Sequence, residues 1–297
     1  MAFVAKMLAD SISSEGIRLT TMQLTYPRSV HAELMTHRVF SRNSASSRAI
    51  PVEKLMDQII NDPYIPVYWG KNQPGMQARI EMSEMERVAS KDAWIGARED
   101  MLYRVEQMVK LGLHKQEANR LLEPWMWITV IVSATEWQNF FNLRQDWSIP
   151  ADGNQSEREM INPAFPAHPS IQVIAYMARC LYMGHKPDEL KVGEWHLPLV
   201  RGIDEHHVVP TYGQSNAVKI SIGRGARVSY LTHEGKRDPL KDIELYDRLL
   251  ADGHMSPFEH VAECGGPSEK DHWYGNFRQW RQYRKRIKGE AVHDYGN

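Results

Sequence analysis

The chain has 297 residues, of which 42% are hydrophobic and 25% are charged. This composition predicts a folded core in one large domain or two ordinary ones, and it excludes a disordered tail. Lysine and arginine number 36 against 37 acidic residues, so the formal net charge is -1 and the basic surface typical of nucleic-acid-binding proteins is not expected.

The predicted elements of the first half of the chain are one strand and several helices. The strand covers residues 17–27, which are rich in β-formers and end at Pro27. The apolar spacing then predicts helices over 29–40, 93–112, 116–132 (broken at Pro124), 136–144 and 170–184. A polar, proline-rich loop separates the last two of these helices over residues 145–169, and loops of this length are usually functional.

The last third of the chain predicts one more strand and one more helix. Residues 217–231 alternate as a strand does, and Asp238 followed by Pro239 predicts a capped helix that stops at Gly253. No strand–helix–strand repeat is visible, so we expect an α+β fold with several long helices. We also expect a cytoplasmic protein, because no apolar run could span a membrane, no signal peptide is recognised and only two cysteines occur.

Three polar segments are candidates for function. Residues 36–48 combine three arginines, one histidine, one asparagine and four serines, a donor set that suits anionic groups but also suits a solvated loop. Residues 254–260 contain two histidines, one on each side of Pro257. The proline prevents the helix on which two histidines four residues apart would bind zinc, so no metal is expected. Residues 276–286 mix arginines with aromatics, as in single-strand or nucleotide binders, or in a basic helix that closes the fold.

Four segments resemble the motifs of flavin-dependent thymidylate synthases. T-H-R-V-F-S-R-N-S-A-S-S-R at 36–48 is similar to that family's R-H-R-x-x-S-x-N-E-x-S-x-R. The other three are N-F-F-N-L-R at 139–144, A-R-V-S-Y at 226–230 and H-M-S-P-F-E-H at 254–260. Their order differs from the family's, so the resemblance implies one circularly permuted domain over 1–297, with the first two segments within 1–184 and the last two within 217–297. It also implies a mixed sheet.

The resemblance implies an enzyme that binds FAD and a pyrimidine deoxynucleoside monophosphate. Such an enzyme transfers a one-carbon unit from methylenetetrahydrofolate to C5 of dUMP and reduces it with electrons from NADPH through the flavin. The family is a homotetramer with sites shared between subunits, so a homo-oligomer is expected, with no nucleic-acid polymer as partner. No cysteine nucleophile is required, and neither Cys180 nor Cys264 lies in an evident catalytic arrangement.

The resemblance also assigns residues to roles. The catalytic pair would be Arg144 and His254. The flavin-facing residues would be His37, Arg38, Asn43, Asn139, His168, Ser229, Ser256 and Glu259. The nucleotide-facing residues would be Glu33, Ser46, Ser47, Arg48, Arg120 and Arg144.

Three positions depart from the family pattern. Thr36 stands where the family has an arginine, Glu33 where it has a substrate-facing glutamine, and Ser44 where it has a glutamate. The hypothesis is that Gln279, Arg281 or Arg284 of the tail replaces the lost groups. Glu33 and Ser44 also motivate an alternative, a flavin- and folate-dependent methylase or hydroxymethylase of dCMP or dUMP. The basic tail motivates a lower alternative, a non-catalytic nucleic-acid binder.

Overall fold

A five-stranded mixed sheet forms the centre of the computed structural model, which describes residues 3–200, 207–227 and 237–290. The order in the sheet is β3-β4-β2-β1-β5; the first three pairs are antiparallel, whereas β1 and β5 are parallel. These strands are β1 (Val4–Ser13), β2 (Arg18–Pro27), β3 (Ser41–Ser44), β4 (Trp127–Ala134) and β5 (Asp188–Leu190).

Helices and two smaller sheets surround this centre. The helices are α1 (His31–Met35), α2 (Val52–Asn61), α3 (Glu84–Lys110), α4 (Lys115–Ala118), α5 (Gln138–Arg144), α6 (Pro169–Gly184), α7 (Val208–Arg227) and α8 (Pro239–Ala251). A three-stranded sheet has the order β10-β7-β6, and β8 pairs with β9. Their strands are β6 (Trp195–His196), β7 (Ala262–Cys264), β8 (Trp273–Tyr274), β9 (Phe277–Arg278) and β10 (Trp280–Gln282).

One face of the central sheet is apolar. Met22, Leu24 and Tyr26 alternate along β2, and Val130 and Val132 do so along β4, so that all five point to the same side. They are buried in one hydrophobic cluster with α5 and α6, and α6 packs directly on β1 and β2. This cluster is the main core of the protein.

The opposite face is polar and is covered by the last third of the chain. His196 bonds through Nδ1 to the Ser11 hydroxyl and through Nε2 to the Thr21 hydroxyl, each at 2.8 Å. The Thr21 and Ser133 hydroxyls are 2.6 Å apart, and Ser133 is 2.8 Å from Nδ1 of His260. All five side chains are buried, and burial lowers the pKa of His260 to about 3. A continuous line of hydrogen bonds between buried side chains therefore crosses the sheet.

The helix predicted over 116–132 is wrong in its second half. Residues 119–125, with Pro124, form a 3-10 turn, and β4 follows as a central strand. Strand β4 is buried on both faces, so its apolar run shows no alternation to distinguish it from a buried helix. Its β-branched residues were the signal for a strand.

The strand predicted over 217–231 is also wrong, because residues up to Arg227 belong to α7. Nearly all residues from Ala217 to Ala226 are buried, so the helix has no polar face and shows no helical period. Helix α7 lies so close to α8 that a Cβ on Gly223 would be 2.3 Å from the carbonyl oxygen of Asp242. Residues 228–231 lie outside the described part of the chain.

Other predicted elements agree with the structure to different degrees. The helix expected over 29–40 is shorter, because α1 ends at Met35 before the β3 strand begins. The tail forms β9, β10 and a 3-10 turn, so an amphipathic helix over 276–286 is wrong. Confirmed elements are β2, α3 (which begins earlier than predicted), α5, α6 and α8. The fold is therefore α+β, and no helix in the described residues has the length and apolarity to cross a membrane.

Candidate functional site

Arg144, the last residue of α5, is held against the turn that follows α1. Its Nε donates to Nε2 of His37 at 3.1 Å, and its Nη1 donates to the Glu33 carboxylate at 3.1 Å. Its Nη2 donates to the Thr36 hydroxyl at 2.9 Å and to the Glu33 carbonyl at 3.3 Å. Glu33, Thr36, His37 and Arg144 form what we call the Arg144 cluster, in which four bonds fix one guanidinium.

The imidazole of His37 is neutral in this arrangement. Its Nε2 accepts from Arg144, so its proton resides on Nδ1. Burial, followed by the charges of Arg144 and Arg42, lowers the pKa of His37 to about 4. The histidine therefore orients the guanidinium without adding a charge.

The Arg144 cluster opens onto a cavity of about 450 Å³. Glu33 and Arg144 line one side, and His168 lines the cavity from the N-terminus of α6, where its Nδ1 accepts from the Ser170 amide at 3.1 Å. Tyr68 and several prolines and aromatics complete the wall. The arrangement combines a few fixed polar groups with apolar surface, as small-molecule sites do.

Asn43 joins two further segments on the other side of β3. Its Nδ2 donates to the carbonyl of Gly225 at 2.9 Å, and its Oδ1 accepts from the Ser256 hydroxyl at 3.3 Å. Asn43, Gly225 and Ser256 form what we call the Asn43 cluster. Its members come from residues 36–48, the end of α7 and the turn Ser256–Glu259, which are distant in sequence.

Glu259 is held by the tail. The Arg284 guanidinium is paired with the Glu259 carboxylate. Its Nε also donates to the Glu290 carboxylate at 2.7 Å. The Gln282 amide donates to the Glu259 carbonyl at 3.0 Å and to the Ser41 hydroxyl at 2.9 Å. Of the tail residues predicted to replace the arginine missing at position 36, Arg284 thus reaches the neighbourhood of β3.

Gln279 and Arg281, the other two tail residues, lie elsewhere. Gln279 is fully buried with φ +67°, and its amide accepts from the Ser13 hydroxyl and donates to Glu15, each at 2.7 Å. Arg281 makes a bidentate pair with Glu269 at 2.8 and 2.6 Å. These side chains are paired with other parts of the fold, and within one chain neither contacts the Arg144 cluster.

Ser46, Ser47, Arg48 and Arg120 form a separate group. The Asn119 amide donates to the Ser47 carbonyl at 2.7 Å, which brings the neighbouring Arg120 to the same region. Arg48 is exposed, and Arg120 is exposed and paired with a glutamate at 2.8 Å. Ser47 lines a second cavity, of about 400 Å³, walled by Trp125 and Trp127 among others. Within one chain these residues do not contact the Arg144 cluster.

Three more predicted residues lie apart from both clusters. Arg38, Asn139 and His254 are exposed and make no side-chain hydrogen bond to either cluster. Ser229 lies outside the described residues. Sequence reasoning also missed Arg42, whose Nη1 donates to the Met35 carbonyl at 2.9 Å and to the His37 carbonyl at 3.3 Å. The signal for Arg42 was its position between Ser41 and Asn43 in the arginine-rich segment.

The tail does not present a surface suited to nucleic acid. Phe277 and Trp280 are buried, and Arg278 donates to Glu136 at 2.8 Å. Arg281 and Arg284 are paired with acids as described, so the arginines of this segment are largely neutralised. Cys264 is buried, and burial raises its pKa to about 11, which leaves its thiol protonated. Within the described ranges no three His, Cys, Asp or Glu side chains are grouped as metal ligands would be.

Comparison with known proteins gives structural neighbours only. No protein-family model matches the chain, and no curated protein sequence does. A UMP/dUMP methylase, PolB from Streptomyces cacaoi, is similar in its complex with 5-Br UMP: the TM-score is 0.45 at 13% identity, over 61% of this chain and 94% of that chain. The complex of the same enzyme with 5-Br dUMP gives a TM-score of 0.47 at 13% identity, over 62% of this chain and 90% of that chain. A likeness this distant concerns the backbone, so function has to be argued from side chains.

Proposed function

We propose that the protein is a flavin-dependent enzyme that transfers a one-carbon unit from methylenetetrahydrofolate to C5 of dUMP and reduces it with electrons that pass from NADPH through the flavin as FADH2. The observation that carries the proposal is the contact between motif segments that are distant in sequence. Arg144 meets His37 at 3.1 Å, and Asn43 meets Ser256 at 3.3 Å. Residues that the family resemblance assigns to one site are thus adjacent on two sides of one short strand.

The pyrimidine is proposed to lie in the cavity beside Arg144. After its bonds to the cluster, one N–H of Nη1 has no partner among the described residues and can donate to a ring oxygen. A fixed guanidinium there stabilises the negative charge that develops on that oxygen when C5 reacts. His37, Thr36 and Glu33 keep the guanidinium in place, which removes the cost of orienting it during the reaction.

Two of the residues that the resemblance assigns to FAD lie together beside β3. Asn43 and Ser256 offer an amide and a hydroxyl there, whereas Arg38, Asn139 and His254 are exposed donors that bond to neither cluster. Bound there, the flavin, once reduced by NADPH, would supply the electrons for reduction of the transferred carbon. The protonated, buried thiol of Cys264 is consistent with chemistry that needs no cysteine nucleophile.

We further propose that the enzyme is a homo-oligomer, a tetramer in the family it resembles, with sites completed between copies. Ser46, Arg48 and Arg120 are separate from the Arg144 cluster within one chain, and a second copy would bring them to its cavity. Mixing Arg48→Ala and Arg144→Ala proteins tests this, because hybrid oligomers would regain activity at sites built from two intact parts. Mixed variants that form oligomers yet stay inactive would contradict shared sites.

Glu33 favours a second candidate, a methylase or hydroxymethylase of dCMP. One of its carboxylate oxygens is bonded to Arg144, while the side chain lines the cavity. A carboxylate accepts from the exocyclic amino group of cytosine, which uracil lacks. Glu33→Gln is expected to raise turnover of dUMP relative to dCMP if this candidate is right, and to leave the ratio unchanged if it is wrong.

The decisive experiment supplies FAD-loaded protein with NADPH, methylenetetrahydrofolate and either dUMP or dCMP, and weighs the product by mass spectrometry. A gain of one methyl group on dUMP supports the first proposal. A gain of methyl or hydroxymethyl on dCMP supports the second. Protein that binds no flavin and changes neither nucleotide would overturn both.

A further inference from the structure

The guanidinium of Arg42 has hydrogen-bond donors without partners among the described residues. Arg42 lies on the edge strand β3, and its side chain is half-buried. Nη1 donates both of its hydrogens, to the carbonyls of Met35 at 2.9 Å and His37 at 3.3 Å. Nε and Nη2 make no hydrogen bond or ion pair with any residue in the described part of the chain. The guanidinium is therefore fixed by one nitrogen, and the edge formed by Nε and Nη2 has no partner among the described residues.

The groups around Arg42 leave its charge largely uncompensated. His37 is neutral, as its lowered pKa requires, and the Tyr26 hydroxyl is protonated because burial raises its pKa. Glu259 is close enough to interact with Arg42 electrostatically, but its carboxylate is paired with Arg284. Burial outweighs these interactions and lowers the pKa of Arg42, which shows that the cation is short of solvation.

The position of Arg42 also accounts for the missing arginine at Thr36. The carbonyls that Arg42 binds belong to the residues immediately before and after Thr36. The Thr36 hydroxyl itself is used inside the cluster: it accepts from Arg144 and donates to the Glu33 carbonyl at 2.7 Å. A guanidinium from β3 thus occupies the turn where the resembled motif would place one from α1.

We propose that Arg42 binds a phosphoryl group of the ligand that occupies this site. A guanidinium edge matches two phosphate oxygens, and such charge-assisted pairs are stronger than neutral hydrogen bonds. The inference rests on the proposed function, whose ligands offer this chemistry in two places, the phosphate of a nucleoside monophosphate and the pyrophosphate of FAD. If Arg42 merely capped the carbonyls after α1, Nη1 alone would suffice and a lysine would serve as well.

The test compares each phosphorylated ligand with a form that lacks the phosphoryl groups: deoxyuridine for dUMP, and riboflavin, which also lacks the adenosine, for FAD. Binding of dUMP, deoxyuridine, FAD and riboflavin is measured by calorimetry for wild type, Arg42→Gln and Arg42→Lys. Arg104→Gln, an exposed change on α3, is the matched control, and thermal unfolding confirms that each variant is folded. We expect Arg42→Gln to weaken either dUMP or FAD at least about tenfold and to leave deoxyuridine and riboflavin unchanged. Arg42→Lys should recover only part of the loss.

The outcomes separate the two proposals. The two pairs are dUMP with deoxyuridine and FAD with riboflavin. The pair in which Arg42→Gln no longer binds the phosphorylated member more tightly identifies the phosphoryl group that Arg42 holds. Equal binding of all four ligands to Arg42→Gln and wild type would overturn the role of Arg42 and leave the proposed function intact. Equal weakening of phosphorylated and dephosphorylated forms would reduce Arg42 to a structural cap. Wild-type protein that binds none of the ligands would overturn the proposed function and this inference together.

Discussion

Neighbouring residues of β3 contact two different parts of the molecule. Arg42 turns toward the end of α1, where it meets the carbonyls around Thr36 near Arg144. Ser41 and Asn43 turn the opposite way, toward the tail, the Ser256–Glu259 turn and α7. On one side of the strand the contact is made by a cation, Arg42, whereas on the other Ser41 and Asn43 themselves make neutral hydrogen bonds.

This difference indicates a division of labour within four residues. Charged groups whose hydrogen-bonding capacity is not exhausted, such as Arg42 and Arg144, are suited to an anionic ligand. Neutral groups whose partners are carbonyls and hydroxyls, such as Asn43, are suited to joining the two parts of the chain. Because strand residues alternate in direction, a single edge strand serves both purposes.

The largest effect is expected on the charged side, from Arg144→Ala. Loss of a fixed donor that stabilises developing charge should lower kcat/KM roughly 10²- to 10³-fold, about 3–4 kcal/mol. Arg144→Lys should recover little, because an ammonium cannot make the bonds to Glu33, Thr36 and His37 together. Steady-state kinetics with dUMP measure the effect, and Arg104→Ala on α3 serves as the control. Activity within twofold of wild type would contradict the charged side as the reaction site.

On the neutral side, Gly223→Ala is expected to cost about 1–3 kcal/mol of unfolding free energy. The new Cβ would be 2.3 Å from the Asp242 carbonyl oxygen, so α7 and α8 must separate. Gly225→Ala is the matched control, since its Cβ meets only the Ile131 side chain at 4.0 Å. Alanine favours a helix, so the control should be neutral or slightly stabilising. Equal urea midpoints for the two variants would contradict this packing.

Asn43→Ala should have a smaller effect on stability, about 1–2 kcal/mol. The change leaves the Gly225 carbonyl and the Ser256 hydroxyl without their partner. Ser256→Ala removes only the longer of the two bonds and should cost less. Urea unfolding gives the stability, and FAD titration shows whether the same amide also holds flavin. If Asn43→Ala were as stable as wild type, the cluster would not join the two parts of the chain.

The smallest effect, taken over a single pH unit, is expected from pH. Burial holds the pKa of His260 at about 3, below its ordinary value of 6.5. Between pH 6.5 and pH 3 the unfolded chain therefore binds more protons than the folded chain. Stability is therefore complete above pH 6.5 and declines toward pH 3, by about 1 kcal/mol per pH unit from this residue. His37, with a pKa of about 4, adds to the loss in the same direction.

His260→Asn isolates that contribution. An asparagine can retain a bond to the Ser133 hydroxyl while removing the titrating group. The slope of unfolding free energy against pH between 6 and 4 should then become shallower than in wild type. An unchanged slope would show that His260 is not buried as a neutral group.

Local signals made part of this fold predictable. Asp238 caps α8 as expected, since its carboxylate accepts from the amides of Leu240 at 3.1 Å and Lys241 at 3.3 Å. Such a cap depends on three adjacent residues and is visible in the sequence. By contrast, β4 and the second half of α7 are buried on nearly all sides, so their patterns carry no period, and tertiary packing decides their structure.

The candidate site was predictable only through the family motifs. The polar inventory of residues 36–48 indicated an anionic ligand, but Arg144 lies 107 positions beyond His37, and no local pattern joins them. The motifs grouped them, yet they also suggested Gln279 and Arg281, whose partners are set by the fold. Arg42 was missed because the resembled motif assigns no role to its position.

The bonds of Gln279 to Ser13 and Glu15 also have a consequence for how the protein is made. They join residues 266 and 264 positions apart, so the tail can brace the hairpin formed by the first two strands only after residues 276–286 have been synthesised. Contacts of such long sequence separation slow folding, because a large loop must close first.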